Sequence, residues 1–218
     1  MRHLEEDDCC TQETNKPRII SSSNGTTYEF YLLGEVLEPS TYLEWFHTIR
    51  HATEDDLIIL YINSPGGNAT TAIQFLSVLE DTDAQILIQV EGMCASAATL
   101  IFMKAHAFSI ANHSEFLFHN YSDGAIGKGG ELKEKISHQS KWAEKLLKDT
   151  YKYFFNDNEI QQILDGKDFW MDKDEVIERM KHRLDQFKKE FESAEKAEKA
   201  SAKTKKEKAV VKKISIKK

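Results

Sequence analysis

Two β-branched apolar runs, each ending in small residues and followed by a helical pattern, constrain this chain more than anything else in it. The first is Leu57-Ile58-Ile59-Leu60-Tyr61-Ile62, which runs into Asn63-Ser64-Pro65-Gly66-Gly67 and a helix predicted over 69–81. The second is Ile86-Leu87-Ile88-Gln89-Val90-Glu91, which breaks at Gly92 and passes through Met93-Cys94-Ala95-Ser96-Ala97-Ala98-Thr99 into a helix predicted to about Ala105. A strand that is apolar on both faces belongs in the middle of a covered sheet. Strand, helix, strand, helix with short links predicts parallel βαβ units with right-handed crossovers, an α/β fold. In such sheets sites form where strand carboxyl ends meet helix N-termini. The Gly66-Gly67 loop and the Ser96 turn are therefore expected to face one crevice.

The remaining pattern frames that pair. Residues 1–27 hold few apolar side chains and read as a flexible arm. A strand is predicted over Tyr28–Val36 and a helix over Pro39–Ala52. Short strands are predicted at Phe108–Ala111 and Glu115–Phe118, the second ending at His119. A glycine-rich loop (Gly124, Gly127, Gly129, Gly130) then precedes a long amphipathic helix from Glu131 to about Phe155, longer than one small core needs. A helix over 159–164, a turn at Asp165-Gly166, a short strand at Lys167–Met171 and a helix from Lys173 to about Lys189 come next. Residues 28–187 are read as one domain, and 188–218 as a Lys-rich tail, helical and then disordered.

The formal charge of −7 hides an asymmetry. From Lys188 to Lys218 twelve lysines stand against five glutamates, a tail of +7, so residues 1–187 carry −14. An acidic body argues against nucleic-acid binding by the domain. The three cysteines, Cys9, Cys10 and Cys94, have no metal or redox spacing, which points to a reducing compartment and no metal. The charged opening Met1–Asn15 has no secretory pattern, and no apolar run reaches the length of a membrane span. The expectation is a cytoplasmic protein.

Ser96 is the first candidate for chemistry. A sharp strand-to-helix turn puts it at the first turn of a helix, where free N–H groups gather and can bind an oxyanion beside a nucleophile. The plainer alternative is a small-residue helix packed tightly on a sheet, with Ser96 merely fitting. His119 ends a strand 23 residues on, within reach of the same crevice, and Asp168 opens a strand after a turn. Taken singly, these are a structural histidine and a turn aspartate. Gly66 and Gly67 allow backbone N–H groups to approach a tetrahedral oxyanion with no side chain in the way.

Four segments in order, Leu60–Gly67, Gly92–Ala98, Leu117–His119 and Lys167–Met171, resemble the proteolytic subunit of Clp-type proteases, and the likeness extends over about Tyr28 to Arg183. The resemblance implies a crotonase-like spiral of βαβ units with a projecting handle helix from Glu131. It implies Ser96 as nucleophile, His119 as general base, Asp168 as the orienting carboxylate, and the amides of Gly67 and Ala97 as oxyanion hole. Peptide would bind as an added strand near Gly66, Gly124 and Gly127. It further implies two stacked seven-membered rings, a homo-tetradecamer that cleaves unfolded polypeptide. No cofactor is implied in this chain, and ATP would be used by a separate AAA+ unfoldase. Ala97 stands where the family usually has methionine, and the family's N-terminal helix is hard to find before Tyr28. Such short, divergent relatives are often phage-encoded. The alternatives are an inactive scaffold subunit, a maturation protease of a viral particle, or acyl-CoA chemistry on the same fold.

Overall fold

The computed structural model describes residues 16–23, 25–122, 124 and 126–215, with the backbone alone from 197 onward. The predicted arm up to residue 15, with Cys9 and Cys10, and the last three residues lie outside the described residues. A parallel sheet is the frame. In chain order its strands and helices are β1 (Arg18–Ser22), β2 (Gly25–Leu33), α1 (Leu43–His51, entered by a 3₁₀ turn at Pro39–Tyr42), β3 (Leu57–Ser64) and α2 (Ala69–Asp81). They continue as β4 (Gln85–Ala95), α3 (Ala97–Phe102), β5 (Ala107–Ile110), β6 (Glu115–Phe118) and α4 (Gly129–Thr150). The chain closes with α5 (Asp157–Leu164), β7 (Phe169–Asp172) and α6 (Lys173–Ser215).

The sheet order is β1-β2-β3-β4-β6-β7, with β5 also paired to β4. β2, β3, β4, β5 and β6 run parallel, while β1 and β7 are antiparallel edges. Alternate residues of the central strands (Phe30, Leu32; Ile58, Leu60, Ile62; Ile86, Ile88, Val90) are fully buried. Their partners on the other face, such as Tyr31, Tyr61 and Leu87, are only half-covered. The two faces are thus unequal, which the both-sides-apolar sequence does not reveal. Against the buried face α1 and α2 set an aromatic cluster, in which the Phe75 ring meets Tyr42, Phe46 and Trp45 at 5.2, 4.8 and 6.1 Å between centroids.

Three expectations change. Residues 18–22 and 25–27, read as part of an arm, belong to the paired strands β1 and β2. The first of the two is exposed throughout, so it shows no alternation of apolar and polar residues. Thr26 N–H bonds Asp56 Oδ1 at 2.8 Å and fixes the pair to the start of β3. The long helix α4 begins two residues earlier and stops at Thr150, because the chain reverses at Tyr153, a non-glycine residue with φ 64°. The tail is helical through Ser215, as its Lys, Glu and Ala residues favour.

Phe75→Ala should cost about 3–5 kcal/mol in urea unfolding, since the ring is wholly buried and its neighbours are rigid aromatics. The N–H groups of Thr53 and Thr26 and the Thr53 hydroxyl hold the Asp56 carboxyl below its ordinary range. A lowered folded pKa contributes stability above the ordinary carboxylate pKa that is lost as pH falls through the folded one. The gap in stability between wild type and Asp56→Asn should therefore be full at neutral pH and shrink below pH about 4.

Candidate active site

The site begins with an irregularity in β4. Pairing with β3 runs in step to Ile62↔Val90 and resumes at Ser64↔Cys94, so β4 carries two extra residues there. The Asn63 side chain fills the bulge, its Oδ1 accepting from Met93 N–H at 3.0 Å. Bulges bend a strand and re-aim the side chains beyond them. β4 does not end at Gly92, as the sequence predicts. It leaves β5 at Val90 and pairs with β6 from Met93↔Glu115 to Ala95↔Leu117.

The chain then turns sharply at Ser96, with φ 53° and ψ −124°. Ser96 is the N-cap of α3 rather than part of its first turn, and Ala97 is the first helical residue. A non-glycine residue in this region costs about 1–3 kcal/mol and persists only where its surroundings over-determine it. They do so here. Ser96 N–H donates to Leu117 O at 2.8 Å, and Ser96 O accepts from Thr99 N–H at 2.9 Å and from Thr99 Oγ1 at 2.6 Å. A strained strand-to-helix turn of this kind lifts a serine hydroxyl clear of the sheet.

Gly66 and Gly67 approach from β3. Gly66 (φ +94°) is buried beneath the turn, and a Cβ on it would lie 2.6 Å from both Ala95 O and Ser96 Cβ. Gly67 (φ +142°) bridges Val36, where a Cβ would meet Val36 O at 2.5 Å. Val36 N–H bonds Gly66 O and Val36 O takes Asn68 N–H, both at 2.8 Å, which leaves the Gly67 N–H outside this pairing. Ala97 N–H, at the first position of α3, has no partner within its own helix.

His119 comes directly after β6. The β6–β7 register runs from Glu115↔Asp172 to Phe118↔Phe169, and one step further along it would set His119 opposite Asp168, a pair outside the ladder. Ser96, Ala97, Gly67 and His119 line one cavity of about 210 Å³. Its far wall is apolar, built from Leu100 on α3 with Trp142, Ala143, Leu146 and Leu147 on α4. Asp168 is exposed and does not line the cavity. Among the described residues no hydrogen bond joins Ser96 to His119 or His119 to Asp168. Gly124 and Gly127 do not line the cavity and lie outside helix and strand, whereas Tyr121 and Ser122 do line it.

A profile of the Clp protease family matches residues 40–179, a span that covers β3, the Ser96 turn, His119 and Asp168. The chain belongs to the Clp protease family. It is 28% identical over 130 residues to the ATP-dependent Clp protease proteolytic subunit of Leuconostoc citreum, covering 55% of this chain and 62% of that protein. It is 29% identical over 132 residues to the subunit of the same name from Lactococcus lactis subsp. cremoris, covering 56% and 63%. The chain thus spans less than two thirds of the length of these curated relatives.

Within this Clp-family site, sequence reasoning missed the apolar wall and a buried pair behind Ser96. Thr99 Oγ1 lies 2.7 Å from the Tyr151 hydroxyl, and both side chains are inside the core. The spacing of Ala143, Leu147 and Tyr151 along α4 was the available signal. Cys94, two residues before Ser96, is fully buried, and burial pushes its thiol far up, which makes it a packing residue. Among the described residues no group of three His, Cys, Asp or Glu could hold a metal ion. No described helix is long and apolar enough to cross a membrane. Gly66→Ala should distort the Ser96 turn, because both the positive φ and the contact with Ala95 O oppose a side chain. Labelling of Ser96 by a fluorophosphonate should fall at least tenfold relative to wild type, roughly the cost of a misplaced nucleophile.

Proposed function

We propose that this chain is a serine endopeptidase, the proteolytic subunit of a Clp-type protease with the crotonase-like spiral of that family. The observation that carries the reading is the cavity that the strained Ser96, His119, Gly67 and Ala97 all line. Ser96 Oγ attacks a peptide carbonyl while His119 takes its proton, and the proton then passes to the leaving amine. Gly67 and Ala97 N–H groups stabilise the tetrahedral oxyanion, and water afterwards releases the acyl-enzyme. Asp168 orients the imidazole, from the position opposite His119 that one further step of the register would give it. The missing hydrogen bonds are compatible with this role, since such contacts tighten in the substrate complex. Substrate would lie as an added strand along the Gly124–Gly127 stretch and the Gly66 loop. The apolar wall of α4 suits an apolar side chain next to the scissile bond.

The family likeness also supports stacked homo-oligomeric rings, a tetradecamer, with an AAA+ unfoldase that hydrolyses ATP and feeds polypeptide. The first turns of α4 support the handle role, because its buried residues begin only at Ala143 while Ile136 is exposed. A scaffold subunit is the second reading, favoured by the exposed and unbonded Asp168.

Fluorophosphonate labelling with mass mapping separates the two. Wild type should be labelled at Ser96 and should cleave small apolar peptides, and Ser96→Ala should do neither while still assembling. His119→Ala should lose nearly as much as Ser96→Ala, and Asp168→Asn about 10⁴-fold in turnover. A wild-type protein that takes no label is a scaffold, and a loss at Asp168→Asn below about tenfold would give the third role to another group.

A further inference from the structure

At the back of the cavity, which Tyr151 lines, three buried residues from three helices meet. Thr99 is fully buried, Tyr151 is 2% exposed and Arg183 is 6% exposed. The Thr99 hydroxyl donates to Ser96 O, the carbonyl of the strained turn, at 2.6 Å, and so it must accept from Tyr151 at 2.7 Å. A hydroxyl has only one proton, so this order of donors is forced. Tyr151 ends α4, and its ring stands edge-on to Phe118 at 5.6 Å, the residue before His119. One residue thus packs on the strand end before the proposed base and reaches the turn of the proposed nucleophile through Thr99.

Arg183, on α6, braces the arrangement from below. It donates to Lys152 O, next to Tyr151 in the chain, and through Nη2 to Met103 O at 3.4 Å, the C-cap of the short helix that Ser96 opens. Its guanidinium lies 4.8 Å from the centroid of Phe187. Among the described residues no carboxylate pairs with it, and burial lowers its pKa to about 10. A buried cation without a counter-ion is costly, and here its partners are carbonyls at two helix ends, where the helix dipole is negative.

We infer that the Tyr151–Thr99 hydrogen bond, braced by Arg183, is a positioning device that holds the Ser96 turn in its reactive conformation. The inference rests on Ser96 being the nucleophile. Tyr151 also lines the cavity, but its hydroxyl is engaged by Thr99. The three groups act through the carbonyl of Ser96, whose direction sets ψ at the turn and with it the aim of Oγ and of the Ala97 N–H. Loosening that carbonyl should slow acylation while the apolar wall still binds.

The test is the rate of fluorophosphonate labelling of Ser96 in the full chain, with kcat and KM on a small apolar peptide and the melting temperature alongside. Tyr151→Phe keeps the ring and removes the hydroxyl, and Thr99→Val keeps the shape. Each should slow labelling and lower kcat about tenfold, the scale of one buried hydrogen bond, with KM unchanged and the same final fraction labelled. Thr99→Ser should restore the rate, and the double variant should be little slower than Thr99→Val, because Thr99→Val already removes the bond that Tyr151→Phe breaks. Labelling of Tyr151→Phe at the wild-type rate overturns the inference. So does a loss confined to the final fraction labelled, which would be lost folding rather than lost aim. If Thr99→Ser is as slow as Thr99→Val, the hydroxyl is not the cause and the inference is again overturned. A wild-type protein that takes no label removes the peptidase reading and this inference together, an outcome distinct from the other three.

Discussion

One hydrogen bond, from Ser96 N–H to Leu117 O at 2.8 Å, ties the centre of this molecule together. It anchors a turn that a side-chain-bearing residue would otherwise relax out of, and it does so against the strand that ends beside His119. The distance between the proposed nucleophile and base is therefore set by sheet pairing, the stiffest part of the fold. The same strand, β6, pairs on its other side with β7, in a register that ends at Phe118↔Phe169. The pairing of β4 with β6 brings Ser96 and His119 to one cavity, while Asp168 stays exposed outside it.

The approach of β3 completes the arrangement because two glycines there have no side chains. Gly66 leaves room for Ser96 Cβ, and Gly67 leaves room for Val36. The bulge at Asn63 is what lets β4 reach β6 at all. A strand in perfect register with β3 would carry Ser96 two residues past its present level. The local defect in regular structure is thus the feature that assembles the site, as bulges beside active sites commonly do.

The helices divide their duties unevenly. α1 and α2 bury one face of the sheet with an aromatic cluster. α4 meets the core only from Ala143 onward, where it forms the cavity's apolar wall and delivers Tyr151. α6 covers the far end through Val176, Met180 and Arg183 before running on to Ser215. Cavity and core share a wall at α4, so a change in how that helix packs would be felt at Ser96 through Tyr151 and Thr99.

The strand-turn-helix repeats and the four motif segments were legible in the chain itself, because buried parallel strands need unbroken β-branched runs and tight turns need glycine. Those local rules pointed the Gly66-Gly67 loop, the Ser96 turn and His119 toward one crevice, and Gly67, Ser96 and His119 line one cavity. The β1–β2 pairing was not legible, since an exposed edge strand needs no apolar pattern. Nor was the continuation of β4 past Gly92, because the bulge depends on Asn63 from a neighbouring strand. The meeting of Thr99, Tyr151 and Arg183 spans 84 residues of chain and obeys no spacing rule. Sequence by itself determined which residue types stand at each turn and which strands are central, since those depend on backbone sterics and burial. Only the tertiary structure decided which distant side chains stand behind the Ser96 carbonyl, because that depends on how three helices pack on one sheet.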